Sequence, residues 1–146
     1  MKEDLTELLR QRGIVEPEPQ KKTRRKPRHP ESSLQQRCVR WFRAWYKEYA
    51  LLFFSVPNGG LRGKREAEIM KAEGIVSGVS DTILLVSRQG YNCLCIEFKS
   101  SVTKGRQSEE QKAWQAAAER EGNRYVVIDR QEDFQDLIRD YLGRRD

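Results

Sequence analysis

Residues 74–100 read GIVSGVSDTILLVSRQGYNCLCIEFKS. Two strand-like runs, 81–86 and 93–100, flank a turn-forming segment that holds Gln89, Gly90 and Asn92. Glycine supplies positive φ at no steric cost, so the stretch is expected to close a β-hairpin. Centring the turn on Gln89 and Gly90 puts Asp81 across from Glu97–Phe98, with its side chain close to that of Glu97. Alternation along the second strand points Glu97 and Lys99 to the same face. Three ionisable groups therefore converge at the hairpin's open end.

Two carboxylates placed that closely repel, and one takes up a proton unless a cation sits between them. Hard oxygen ligands with open water positions suit magnesium, with manganese as a substitute. A lysine beside them orients or helps deprotonate an attacking water, or neutralises charge building on a phosphate. The plain alternative is a salt-bridged, solvated surface at the end of a hairpin. Glu-x-Lys carries little on its own; the aspartate opposite it carries more.

An Asp, a hairpin-length gap and Glu-x-Lys resemble the signature of the PD-(D/E)xK nucleases. The fuller pattern is Gly74-Ile75, Gly78-Val79-Ser80-Asp81, Ile96-Glu97-Phe98-Lys99 and Gln107-Ser108-x-x-Gln111-Lys112-x-Trp114. It resembles the VRR-NUC (virus-type replication-repair nuclease) branch. The upstream Glu31-Ser32-Ser33-Leu34-Gln35 and Val56-Pro57-Asn58-Gly59-Gly60 also look like that branch, so the resemblance covers residues 30–142. Ser80 departs from it, standing where the family commonly has a proline that stiffens the approach to the strand.

The resemblance implies a restriction-endonuclease-like α/β core, α-β-β-β-α-β, with a mixed sheet flanked by helices. It implies a metal-dependent DNA endonuclease leaving a 3′-hydroxyl and a 5′-phosphate. Asp81 and Glu97 are then ligands of one or two Mg2+ ions, with the Phe98 carbonyl as a further ligand. Lys99 positions the attacking hydroxide, and Gln35 and Gln111 tune the surroundings. A polar residue on the first helix of this family reaches the metal, which makes Glu31 a candidate beside Gln35. Stand-alone members resemble Holliday-junction resolvases and pair as homodimers. Branched DNA, a homodimer and a phage or prophage setting follow as expectations.

The 146 residues suit one domain with a sizeable core. A net charge of +6 and a pI near 9.4 favour a polyanionic partner. No apolar run is long enough to span a bilayer and no signal-peptide apolar region opens the chain, so a soluble, cytoplasmic protein is expected. No nucleotide cofactor is expected. The cysteines number three and the histidines one, which makes neither a disulfide framework nor a zinc constellation. Cys38, Cys93 and Cys95 read as small buried hydrophobes.

Residues 1–30 form a head with a short helix over 2–11, stopped by Gly13, and residues 31–146 form the nuclease-like domain. The head's later part, EPEPQKKTRRKPRHPE, carries four of the five prolines and reads as a disordered linker. It serves either as a phosphate-binding arm or as a solvated tail. A helix is expected over 33–49, with Leu34, Cys38, Trp41, Phe42, Trp45 and Tyr49 on its apolar stripe and both tryptophans in the core. Glu31 and Gln35 share a face at its start, unless Ser32 or Ser33 simply caps it.

A strand over 51–56 ends at the Pro57–Gly60 turn. Asn58, Arg62, Lys64 and Arg65 in and after that turn are candidates to hold a phosphate backbone. A helix over 65–73 ends at Gly74 in the left-handed cap position. Lys104 and Arg106 lie on a basic turn before Ser108-Glu109-Glu110-Gln111, a capping-box match opening a helix to residue 121. Gln111 is thus either a cap or a site residue, or both. A strand over 124–128 and a helix over 131–142 complete the chain, and a parallel strand pairing across the 108–121 helix is expected.

A catalytically inactive DNA-binding module with the same basic surface is the second reading, in which Asp81, Glu97 and Lys99 are a structural ion cluster. Retention of all three residues argues against it. RNA binding lacks the exposed sheet aromatics that single-strand recognition uses.

Overall fold

The computed structural model of the chain describes residues 2–14, 29–57, 63–101 and 105–144. Its centre is the expected hairpin. Strand β2 (Thr82–Leu84) pairs antiparallel with β3 (Leu94–Phe98), matching Thr82 to Ile96 and Leu84 to Leu94. The tip pairs Arg88 with Tyr91 around Gln89 and Gly90, whose φ angles are 55° and 82°. Two successive positive φ values are what a tight two-residue hairpin turn requires. Gln89 tolerates the unusual backbone because its side chain is tied down, Nε2 donating to the Asp140 carbonyl at 2.8 Å.

The tip and the strands are out of step by one residue. Residues 85–87 lie between the two pairings on one side, and only 92 and 93 on the other. That extra residue is a bulge-like irregularity. A turn centred on 89–90 with no slip would set Asp81 against Phe98. The slip sets it against Glu97 instead, so both carboxylates fall on one face of the sheet.

Strand β1 (Phe53–Ser55) pairs antiparallel with β2, and β4 (Arg124–Ile128) pairs parallel with β3, giving the order β1-β2-β3-β4. The helices are α1 (Lys2–Gln11), α2 (Pro30–Trp45), α3 (Lys64–Ala72), α4 (Glu109–Arg120) and α5 (Gln131–Leu142), with a 3-10 turn at Lys47–Tyr49. The run from α2 through β4 is the α-β-β-β-α-β core with α3 inserted between its first two strands. The connection between the parallel strands is α4, as the pattern of residues predicts.

One face of the sheet carries Phe53, Leu84, Leu94, Ile96 and Phe98, all buried against α2 and α5 in a single apolar cluster. Phe42 and Phe53 lie 4.5 Å apart between ring centroids, and Phe134 sits 5.9 Å from Phe53 and 6.0 Å from Phe98. Such aromatic pairs add about 0.5–1.5 kcal/mol each beyond the area they bury. On the opposite face Trp114 of α4 meets Tyr125 of β4 at 6.1 Å. Glu97 points to this second face, and β3 is buried along its whole length.

Several expectations shift. The first long helix begins at Pro30 and ends at Trp45, so Ser32 and Ser33 lie inside it and do not cap it. A proline fits there because the first-turn N–H groups lack intrahelical partners anyway. Trp45 is half exposed, at 51%, while Tyr46 takes the buried position and stacks on Phe42. Trp45 is the last helical residue, and the core takes the C-cap Tyr46 in its place. The short N-terminal helix docks, with Leu9 fully buried. The basic linker of residues 15–28 lies outside the described residues. Among the described residues, no helix is long and apolar enough to cross a membrane.

Candidate active site

The hairpin's open end forms the floor of a cleft of about 490 Å³, lined by Glu31, Asp81, Glu97, Lys99 and Gln111 on one side. Residues of α3 and the chain after it, including Ala67, Met70, Lys71, Ile75 and Val76, line the other. Asp81 leaves β2 one residue early and anchors itself by accepting the Phe98 backbone N–H on Oδ2 at 2.7 Å. Ser80 is buried and donates from Oγ to the Thr82 carbonyl at 3.1 Å, a hydrogen bond that holds the approach to the strand.

Glu97 is 2% exposed. Its Oε1 accepts from Gln111 Nε2 at 2.6 Å and faces Lys99 Nζ at 3.3 Å. Its Oε2 is buried with no partner at hydrogen-bond geometry, although the Asp81 backbone lies near enough to affect its proton affinity. Burial first, then the neighbouring Asp81 carboxylate, push the Glu97 carboxyl up to about 7, against the pull of Lys99. Asp81 is raised as well, mainly by burial, with the Phe98 amide and Lys99 opposing. The Asp81 carboxylate makes Glu97 harder to ionise, whereas the Glu97 carboxyl, as a hydrogen-bonding neighbour, eases the ionisation of Asp81, and Glu31 opposes it.

Gln111 joins the helix end to this chemistry. The Ser108 hydroxyl accepts the Gln111 N–H at 3.2 Å, and Gln111 Oε1 accepts the Ser108 N–H at 2.9 Å, a complete capping box. The same Oε1 accepts from Lys99 Nζ at 3.1 Å. With its oxygen committed to two donors, the amide must turn Nε2 toward Glu97. The cap and site readings of Gln111 hold together.

Glu31, in the first turn of α2, accepts the Ser100 backbone N–H on Oε1 at 3.3 Å and lines the cleft. Gln35, one turn further on, is half-buried and is not among the cleft's lining residues. Lys64 and Arg65 are exposed at the start of α3, and Arg106 is exposed before α4. Asn58, Arg62 and Lys104 lie outside the described residues.

Sequence reasoning passed over two residues at this site. Lys71 lines the cleft, and its signal was a basic residue at helical spacing from Ala67. Gly105 packs so closely that a Cβ there would sit 2.9 Å from Glu31 Oε1 and 3.4 Å from Lys99 Cδ; nothing in the basic-turn pattern marks it. Among the described residues, no group of three or more His, Cys, Asp and Glu side chains is arranged to hold a metal. The carboxylates that line the cleft are those of Asp81, Glu97, Glu31 and Glu110, and Phe98 is not among its lining residues.

No protein-family model matches the sequence, and no curated protein does. Among solved structures, the chain is similar to a protein described as a "VRR_NUC domain protein", with a TM-score of 0.67 over 80% of this chain and 90% of that one. The fold is that of a VRR_NUC domain. The two sequences are 21% identical, so the likeness is one of fold. Within the VRR_NUC fold, this chain places Asp81, Glu97, Lys99 and Gln111 around one cleft.

Proposed function

We propose that the protein is a metal-dependent deoxyribonuclease that hydrolyses internal DNA phosphodiester bonds at the cleft holding Asp81, Glu97 and Lys99. The observation that carries this reading is the state of Glu97. It is buried, one oxygen is held by an amide and an ammonium, and the other lies beside Asp81 with no partner at hydrogen-bond geometry. A second carboxylate lies beside it. Burying charge in that way costs stability rather than adding to it, and clefts that strain the ionisation of paired acids are frequent sites of chemistry.

A divalent cation relieves that cost. Asp81, Glu97 through its bare Oε2, and the Phe98 carbonyl are the oxygens to hold Mg2+ or Mn2+, with Glu31 as a further contributor. Such an ion, when bound, supplies Lewis acidity toward the phosphate and acidifies a coordinated water. The chain's own groups do the rest. Lys99 places an ammonium beside the carboxylates, where it offsets charge on a phosphate and orients the attacking water. Gln111 fixes the rotamer of Glu97, and Lys71 faces the same cleft from α3. The VRR_NUC fold and the excess of basic residues support DNA as the substrate.

One observation favours an inactive DNA-binding module, the 3.3 Å Lys99–Glu97 ion pair. It leaves the bare Oε2 unaccounted for. Branched DNA and a two-fold homodimer belong to the main proposal, since a dimer presents two sites to two strands.

The deciding experiment incubates flap, fork, four-way junction and plain duplex DNA with the protein in magnesium or manganese. Cleavage is expected with metal only, fastest on branched substrates, and lost in Asp81→Ala and Glu97→Ala while DNA binding survives. A double variant that still cuts moves the active site elsewhere. Gel filtration giving a monomer with and without DNA removes the dimer.

A further inference from the structure

The wall of the cleft opposite the carboxylates is apolar where it meets solvent. Helix α3 ends in a Schellman motif: the Ile75 N–H bonds to the Met70 carbonyl at 3.0 Å and the Gly74 N–H to the Lys71 carbonyl at 3.1 Å, with Gly74 at φ 104°. This motif carries the residue after the glycine back over the last helical turn. Ile75 is 39% exposed and Val76, next along, 55% exposed, yet both line the cleft that holds Asp81 and Glu97. A second fixed point follows at once. Gly78, at φ 86°, lies so close to α4 that a Cβ would fall 2.4 Å from the Glu110 carbonyl oxygen. Ile75 and Val76 are therefore pinned between a helix cap and a backbone contact, and face outward from a segment held at both ends.

Solvated aliphatic side chains on a pinned cleft wall gain nothing unless something apolar covers them. The cleft's chemistry says what that is. Carboxylates and Lys99 suit the phosphodiester, Lys71 at the end of α3 suits a neighbouring phosphate, and the apolar wall is left for the base. A paired, stacked base offers only its edge; an unpaired base offers a flat apolar face, against which aliphatic side chains pack as wedges.

Resting on the phosphodiester reading of this cleft, we propose that Ile75 and Val76 form an apolar lip that receives an unpaired nucleobase flanking the scissile phosphate. The lip makes the enzyme select positions where a strand has left the stack. Lys71 holds the phosphate next to that base.

The test compares the full-length wild type with Ile75→Ser/Val76→Ser on two substrates, a perfect duplex and the same duplex with one bulged nucleotide. Wild type is expected to cut the bulged substrate at least about tenfold faster, the scale that covering one aliphatic side chain supplies. The variant is expected to lose that preference, its bulged-to-duplex rate ratio falling toward one, while its melting temperature holds. An unchanged ratio overturns the lip. A second readout does not need cleavage: an oligonucleotide with 2-aminopurine at the bulge, bound in calcium. A fluorescence change with wild type that the variant lacks supports the lip even if no DNA is ever hydrolysed, in which case the nuclease reading falls alone. No lip-dependent change in fluorescence overturns the lip whatever the cleavage data give. If the variant instead alters only the oligomeric state, the surface belongs to a second copy of the chain and the proposal is wrong.

Discussion

Gln111 Nε2 donates to Glu97 Oε1 at 2.6 Å from a helix terminus that the same side chain caps. A local folding signal and a site contact are thereby made one object. The start of α4 cannot form its capping box without aiming an amide N–H at the buried carboxylate. The reverse also holds: Glu97 is oriented by the helix that packs over it.

That coupling can be pulled apart. Ser108→Ala removes the hydroxyl that accepts the Gln111 N–H but leaves the Gln111 side chain able to bond both the Ser108 N–H and Glu97. It is expected to cost about 1 kcal/mol, the usual worth of an N-cap, with DNA cleavage near wild type. Gln111→Ala removes the reciprocal cap bond and strips Glu97 of its closest donor. It should cost at least as much stability and slow cleavage about 10–100-fold, as loss of a ligand-orienting contact does. Denaturant melts paired with cleavage rates check the split. Equal rate losses in the two variants would show that Gln111 acts only through the cap.

Metal-free stability should fall with rising pH. The Glu97 carboxyl is raised from its ordinary 4.5 to about 7 by burial and by Asp81. Below the unfolded value it is protonated in both states and nothing is lost. Between the two values the folded state holds the proton that the unfolded state has released, so stability drops as pH climbs through about 7. Asp81, raised in the same sense, adds to the slope. Thermal melts in chelator from pH 4.5 to 8 are expected to show the decline, and Glu97→Gln to flatten it. Added Mg2+ should raise the melting temperature most at the alkaline end. A chelated protein that gains stability across this window would mean the pair is ionised without strain.

How far the sequence led is clearest at the hairpin. Turn chemistry and alternation located the strands, and α4, β4 and α5 followed from a capping box and from apolar periodicity. The one-residue slip between residues 84 and 94 had no sequence mark. The slip decides whether Asp81 meets Glu97 or Phe98, and the hairpin tip beyond it is held by tertiary bonds such as that of Gln89 to Asp140. Trp45 misled because a periodic stripe does not say which residue at a helix end the core takes, and here it takes Tyr46. Lys71 and Gly105 were passed over for a related reason: their roles come from approach in space, Lys71 across the cleft and Gly105 against Glu31 and Lys99. Glu31 and Gln35 looked equivalent in sequence, and only the earlier start of α2 turns Glu31 to the cleft.

Lys99→Met keeps the side chain's length and removes its charge. Nζ sits 3.3 Å from Glu97 Oε1 and 3.1 Å from Gln111 Oε1, with the side chain 13% exposed. Loss of the cation leaves the two carboxylates still harder to ionise, so the pH of the metal-free stability decline should move up. Cleavage is expected to fall about 100–1,000-fold, the scale for removing one preorganised electrostatic group. DNA affinity, spread over many basic residues, should change only a few-fold. A variant that binds weakly but cuts at the normal rate once saturated would make Lys99 a DNA contact and nothing more.

Gly78→Ala tests whether the placement of α4 governs the site. Two penalties act together at this position. A φ of 86° is strained for any residue with a side chain, at about 1–3 kcal/mol. The new Cβ would also fall 2.4 Å from the Glu110 carbonyl oxygen and 2.8 Å from the Gln111 backbone nitrogen. Those are backbone atoms in the first turn of α4, so the clash cannot be relieved by a rotamer change. Either residues 77–79 or the start of α4 must move, and moving α4 carries the Gln111 amide away from Glu97. We expect a loss of at least about 2 kcal/mol, and a larger fall in cleavage than in the matched control Gly90→Ala. Gly90 has a similar positive φ of 82° at the hairpin tip but open space around it. The control carries the backbone strain without the contact. If the two variants lose cleavage equally, strain alone explains the effect, and the packing of Gly78 on α4 has no part in holding Gln111 over Glu97.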